Sequence, residues 1–292
     1  MKLRTLLKLG RTSNLPTVWS NVLAGAALSG APFGPAELGV LLLCASAFYE
    51  GGMFLNDAFD ADIDRRERPD RPIPAGEASR RQVFTLGYGL LGSGLALLGG
   101  ATLAGLTRPG WGAPLAALFT CAAILVYNRW HKGHAWSPLV MGACRAGLYA
   151  MAALAVSGTL GPRVLLGAGA LWLYIVGLTH VARFETGRAL ERAWVGALVL
   201  APLLAGAWAL LEVPSLLPLL CWALLLGWSL RSMSFALKGG SGQIPRAVVS
   251  LIAGASLIDA LFIALSAPPL AVLAALGAFL LTLKWQRRIP GT

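Results

Sequence analysis

Ten stretches of this chain, each close to the length that crosses a bilayer, are almost wholly apolar, and that succession leaves few folds open. They fall at about 14–31, 36–57, 83–106, 113–128, 137–157, 162–183, 192–211, 215–233, 247–266 and 268–285. Spanning segments must satisfy their own backbone polar groups in hydrocarbon, so isolated strands are excluded and helices remain. The expected fold is an all-α, polytopic transmembrane bundle of nine to ten spans, formed as one domain over residues 1–292. The count is open because only Ala267-Pro268-Pro269 parts the last two runs, which read as a tight hairpin or as one span with a re-entrant piece.

Charge decides orientation. Only 13% of the 292 residues are charged, against roughly 25% in soluble domains. The net charge of +11 would suit a nucleic-acid binder, but in so apolar a chain it reports membrane orientation, and no nucleic-acid partner is expected. All the lysines and arginines except Arg108, Arg145 and Arg163 fall before the first run, at or after the end of the last, or in or at the edges of alternate loops. The positive-inside rule then puts both termini and the longer loops in the cytoplasm, which an even count of ten satisfies. The basic opening Met1–Pro16 lacks a small-residue cleavage site, so it reads as no removable signal peptide. A bacterial inner membrane is the expected location, with the lipid bilayer as a standing partner. Cys44, Cys121, Cys144 and Cys221 lie singly inside apolar runs and read as core residues. Trp19, Trp111, Trp130, Trp136, Trp194 and Trp285 read as an interfacial belt.

The chemistry-bearing segment begins where the second run leaves the membrane: Asn56-Asp57-x-x-Asp60-x-Asp62-x-Asp64, followed by Arg65, Arg66, Arg68 and Arg71. If the helix continues to residue 64, Asp57, Asp60 and Asp64 fall within about 60° of one another, at ~100° per residue, while Asp62 points elsewhere. Carboxylates crowded on one stripe repel unless a cation sits among them. Mg²⁺ suits oxygen ligands and keeps water and phosphate in its shell.

This spacing matches the first aspartate-rich motif of the UbiA superfamily of intramembrane prenyltransferases. Arg68-Pro-Asp-Arg71-Pro-Ile-Pro74 also resembles that family, as does Arg11-Thr-Ser-Asn14-Leu-Pro. Tyr127-Asn-Arg129-Trp-His-Lys132 is similar to its Tyr-x-x-x-Lys-Arg segment, displaced by a residue. The resemblance implies a UbiA-like fold and transfer of an isoprenoid group from a Mg²⁺-bound prenyl diphosphate to a lipophilic or small-molecule acceptor. It implies that Asn56, Asp57, Asp60 and Asp64 hold the metal, that Arg71, Arg129 and Lys132 neutralise phosphate, and that Asn14 and Tyr127 belong to the substrate cavity.

The chain departs from the family at the end of the sixth run. There it reads Thr179-His180-Val-Ala-Arg183-Phe-Glu185-Thr-Gly-Arg188, where a second aspartate-rich motif is expected. Either Arg183 replaces a metal as a phosphate clamp beside Glu185, or ionisation of the donor is impaired. The Arg-x-Glu wording is similar to that of a divergent branch encoded in bacterial Ebo clusters, and by this resemblance the chain is expected to lie closest to that branch. A non-catalytic or transport-associated protein that binds an isoprenoid or lipid phosphate is the alternative reading.

Three ionisable groups lie deep in the apolar runs: Glu50, Arg145 and Asp259. One reading is a structural ion pair of Arg145 with Glu50 or Asp259; the other is an acceptor-side or proton-handling site below the metal, with Arg145 as a substrate contact. His180 reads as a helix-end polar residue or a phosphate contact. His131 and His134 read as interfacial bystanders.

Overall fold

In the computed structural model, residues 1–183, 193–212, 214–238, 242–266 and 268–291 are described, and all regular structure among them is helical. A short α1 (Leu3–Leu9) and a 3₁₀ turn (Thr12–Asn14) precede ten further helices. These are α2 (Leu15–Leu28), α3 (Pro35–Glu67), α4 (Arg80–Leu103), α5 (Gly112–Trp130) and α6 (Ser137–Ser157). They continue with α7 (Pro162–Arg183), α8 (Ala193–Glu212), α9 (Leu216–Lys238), α10 (Gln243–Ala264) and α11 (Pro269–Gln286).

Among the described residues, nine helices, α3 to α11, are long and apolar enough to cross a membrane. The chain is an integral membrane protein. Its large apolar side chains face outward as lipid-facing ones must: Leu103, Leu204, Leu211, Leu216 and Leu270 are among the most exposed. The first expected span, 14–31, takes shape as the 14-residue α2. At 1.5 Å per residue α2 is about 21 Å long, short of a ~30 Å hydrocarbon core. Arg11, just before α2, bonds Asp57 near the C-terminal end of α3, so α2 runs antiparallel to α3 and carries the chain to the opposite side, buried among its neighbours with only Trp19 and Leu23 partly exposed.

Local sequence explains the ends. Prolines sit in the first turn of α2, α3, α6 and α11, where a missing N–H leaves no helical bond unmade. Pro69, Pro72 and Pro74 keep the chain from re-entering a helix before Ser79, which starts α4 with a reciprocal capping box to Gln82.

The core has two halves. One is built mainly from α7 to α11 around Leu171, Tyr174, Leu251 and Phe262. The other is built from α3, α4 and α5 around Phe48, Leu55, Leu98 and Ile124. Helices α2 and α6 send one face into each half and form the seam: Ala24, Leu28 and Tyr149 go one way, Val18, Val22 and Met151 the other. At Gly25 the two helices meet so closely that a Cβ would stand 2.5 Å from the Tyr149 carbonyl oxygen. A cavity opens beside this seam.

Candidate active site

The cavity has a volume of about 370 Å³. Arg11, Asp60, Lys132, Arg183 and Gly291 all line it, so the turn after α1, the ends of α3, α5 and α7, and the tail after α11 gather at one mouth. Deeper down the wall is largely apolar, with Phe48, Ile124, Leu148, Ile175 and Ile252.

Helix α3 continues unbroken to Glu67, ten residues beyond its apolar run, so the aspartate stripe forms as the spacing predicts. Asn56, Asp57, Asp60 and Asp64 are all buried. Asp62 lies off the stripe, exposed, paired with Arg65 at 3.2 Å and Arg80 at 2.9 Å.

Every buried carboxylate of the stripe meets a cation. Asp57 Oδ1 stands 2.8 Å from Arg71 Nη1 and 3.2 Å from Arg11 Nη2. Arg71 Nη1 also lies 3.5 Å from Asp64 Oδ2. Asp60 Oδ2 is 3.4 Å from His131 Nε2 and 3.5 Å from Lys132 Nζ. Burial lowers the proton affinity of the Arg71 guanidinium, and the charge of Arg11 lowers it further, against the pull of Asp57 and Asp64. Arg11, Arg71 and Lys132 thus stand against Asp57, Asp60 and Asp64, so cations and carboxylates are both gathered at the mouth.

Asn56 is held by Arg11 at 3.3 Å and by Asn128 at 3.2 Å, and Asn128 in turn donates to the Gly52 carbonyl at 2.9 Å. These bonds fasten α5 to α3 beneath the stripe. Among the described residues no three acidic, histidine or cysteine side chains converge as a ready metal cage. The donors present still fit Mg²⁺, which is commonly held by one or two carboxylates with water and substrate phosphate completing its shell.

Asn14 lies on the cavity wall as expected, but its carboxamide is engaged by the far end of the chain. Its Nδ2 donates to the Gly291 carbonyl at 2.8 Å, and its Oδ1 accepts from Gln286 Nε2 at 2.9 Å. Tyr127, Arg145 and Arg183 also line the cavity. Arg129 does not: it is exposed and lies 5.9 Å from the Trp130 ring. His180 is likewise off the wall, edge-on to Trp194 at 4.6 Å. Glu185 and Arg188 fall outside the described residues.

The deep charges are arranged differently from either expected pair. Arg145 reaches neither Glu50 nor Asp259 directly; it donates to Asn21 at 2.8 Å and Thr17 at 3.1 Å and lies 5.5 Å over the Tyr49 ring. Asn21 then donates to Asp259 at 2.8 Å, and Asp259 also accepts from Ser20 at 2.5 Å and from Tyr149. Glu50 accepts from Thr12 at 3.1 Å. The four cysteines are free thiols.

Sequence reasoning missed two groups here. Arg11 carries no role in the sequence pattern beyond its place in a motif, yet its guanidinium reaches Asp57 from a left-handed residue (φ 43°), a backbone state that costs about 1–2 kcal/mol for a side-chain-bearing residue. His131, read as a bystander, stacks on Tyr127 at 4.9 Å and faces Asp60. The i, i+4 spacing of Tyr127 and His131 was the available signal.

A helical bundle of this kind, with a charged mouth over an apolar pocket, defines an integral membrane protein with an amphiphilic cavity. The sequence profile of the UbiA prenyltransferase family matches residues 15–234, and the chain belongs to that family. A digeranylgeranylglyceryl phosphate synthase from Metallosphaera sedula is 33% identical over 161 residues, which is 55% of this chain and 44% of that protein. Matches to this and three further curated relatives of the same name span 30–59% of the relatives' length. The fold is shared with a UbiA homologue from Aeropyrum pernix K1 (TM-score 0.65, 21% identity, 84% of this chain and 95% of that one). It is shared also with a UbiA homologue from Archaeoglobus fulgidus bound to GPP and Mg²⁺ (TM-score 0.62, 15% identity, 94% and 99%).

Proposed function

We propose that this chain is an intramembrane prenyltransferase that moves an isoprenoid group from a Mg²⁺-associated prenyl diphosphate to an acceptor, acting as one transmembrane domain. The observation that carries the reading is the meeting of the α3 aspartate stripe with Arg11, Arg71, His131 and Lys132 above an apolar cavity. Family membership supports it, and so does the GPP and Mg²⁺ bound by the Archaeoglobus homologue of the same fold.

Asn56, Asp57, Asp60 and Asp64 would hold Mg²⁺, which when bound supplies charge neutralisation to a departing diphosphate. Arg71 and Lys132, with Arg11, would take phosphate oxygens, exchanging their present carboxylate contacts for the substrate's. Phe48, Ile124, Leu148 and Ile175 keep water from the allylic end, and Tyr127 adds an aromatic wall to the substrate cavity. Asn14 and Arg145 would meet the prenyl chain or the acceptor, and Glu185 would add an acid from the segment after α7. We assign Arg129 and His180 no direct contact, since neither lines the cavity.

The acceptor is inferred to be lipophilic; the names of the curated relatives favour a glyceryl phosphate lipid. Placement in the Ebo-cluster branch rests on the Arg183-Phe-Glu185 wording alone, and the curated relatives bear the name of another activity. By the positive-inside rule the mouth and both ends of the chain face the cytoplasm, and an inner bacterial membrane remains the expected location.

The test is diphosphate release by the purified protein in lipid nanodiscs, supplied with geranyl, farnesyl or geranylgeranyl diphosphate and a membrane extract as acceptor source. Mg²⁺-dependent release supports the reading. Mg²⁺-dependent binding without release would replace it with a carrier, and loss of both would remove the phosphate site.

A further inference from the structure

We infer that Arg183 is a positioning residue: it clasps the α5–α6 connection so that His131 and Lys132 are both presented to Asp60, rather than gripping phosphate itself. The inference rests on the proposed function for the role of Asp60, and on geometry for the clasp.

Arg183 ends α7. Its Nη2 donates to the His134 carbonyl at 2.7 Å, reaches the His131 carbonyl at 3.4 Å and bonds the Ser137 hydroxyl. All three acceptors belong to the short connection between Trp130 and the first residue of α6. Ser137 closes the ring by donating from its Oγ to the His131 carbonyl at 3.0 Å. The connection otherwise has little to fix it, since Gly133 takes a positive φ of 82° and residues 132–136 are exposed.

That ring sets where two side chains point. His131 lies flat against Tyr127 with Nε2 at 3.4 Å from Asp60, and Lys132 reaches the same carboxylate oxygen at 3.5 Å. His131 Nδ1 is buried with no hydrogen-bond partner among the described residues, a state that costs free energy unless a ligand or water meets it. The connection is therefore held in register for a ligand at the mouth, and the holding group is the guanidinium at the end of α7. The three contacts share one guanidinium nitrogen, Nη2, whose planar setting fixes the direction of its N–H groups more tightly than a freely rotating ammonium does.

The chain has three histidines, so the His131 ring can be followed by NMR in the full-length protein with labelled histidine in nanodiscs. Its resonance would be assigned by its loss in His131→Asn. In ligand-free protein, Arg183→Gln is expected to shift or broaden that resonance, Ser137→Ala to move it in the same direction, and Arg183→Lys to have a smaller effect. With farnesyl diphosphate, the same variants are expected to raise KM roughly 10- to 100-fold, as outer-shell partners of a metal site do, with kcat changed less. The effects of Arg183→Gln and Ser137→Ala should not add.

An unmoved His131 resonance would overturn the clasp, and a raised KM beside it would make Arg183 a direct phosphate contact. Additive effects would overturn it too. If the wild type releases no diphosphate, the proposed function fails, yet the ligand-free resonance still decides the clasp.

Discussion

Arg71 and Asp57 lie 2.8 Å apart at the mouth of the cavity, fourteen positions apart in sequence, and both side chains are largely out of water. The pair closes the proline-bearing turn after α3 back onto the helix that precedes it. It is thus a structural tie and, in the proposed function, a phosphate grip held ready by a carboxylate.

Arg71→Ala is expected to raise KM for a prenyl diphosphate by about 30-fold, near 2 kcal/mol, as loss of a buried charge-assisted contact commonly does. Arg71→Lys should recover part of the loss, because the single nitrogen Nη1 makes both carboxylate contacts, although an ammonium gives up the guanidinium's second edge for phosphate. Steady-state kinetics on both variants checks this.

The Asn14 carboxamide is bonded to Gly291 and Gln286, so a substrate that uses Asn14 must first displace the tail. Removing residues 287–292 is expected to tighten prenyl diphosphate binding by about 5-fold, the worth of roughly one net hydrogen bond. Calorimetric titration of the shortened protein checks it; unchanged binding would show that the tail does not compete with substrate, and weaker binding that it belongs to the site.

Asp259 is wholly buried and accepts from Ser20, Asn21 and Tyr149. Asp259→Ala would strand three donors and, through Asn21, loosen Arg145. The expected loss is about 3 kcal/mol of stability, seen as a lowered thermal unfolding temperature in detergent. Asp259→Asn, which keeps an acceptor, should lose less.

Gly25→Ala places a methyl 2.5 Å from the Tyr149 carbonyl, between two helix backbones that cannot easily part. Overpacking of this kind costs about 1–3 kcal/mol. Because α2 and α6 form the cavity seam, activity should fall along with the unfolding temperature.

Much of the fold was legible because each span is an apolar run stopped by charge or proline. Ser137–Ser157 and Pro162–Arg183 match the expected limits at both ends. The aspartate stripe was legible from spacing alone, and so was the exclusion of Asp62 from it. What stayed hidden were contacts that only folding brings together. Arg11 reaches Asp57 by way of a left-handed turn, and Asn14 meets a carbonyl 277 positions away. Arg145 was matched with carboxylates on charge, yet it is satisfied by the amide of Asn21, the hydroxyl of Thr17 and the ring of Tyr49. A buried cation needs acceptors and polarisable surface, and an anion is only one way to supply them.

The most direct test compares Asp60→Ala with Asp62→Ala for Mg²⁺-dependent release of diphosphate from farnesyl diphosphate in nanodiscs. Asp60 lies on the buried stripe above the cavity, and Asp62, two residues on, is exposed and tied to Arg65 and Arg80. The expected result is loss of release in Asp60→Ala with Asp62→Ala close to wild type. Equal activity in the two variants, whether kept or lost, would contradict the assignment of the stripe as the metal and diphosphate site.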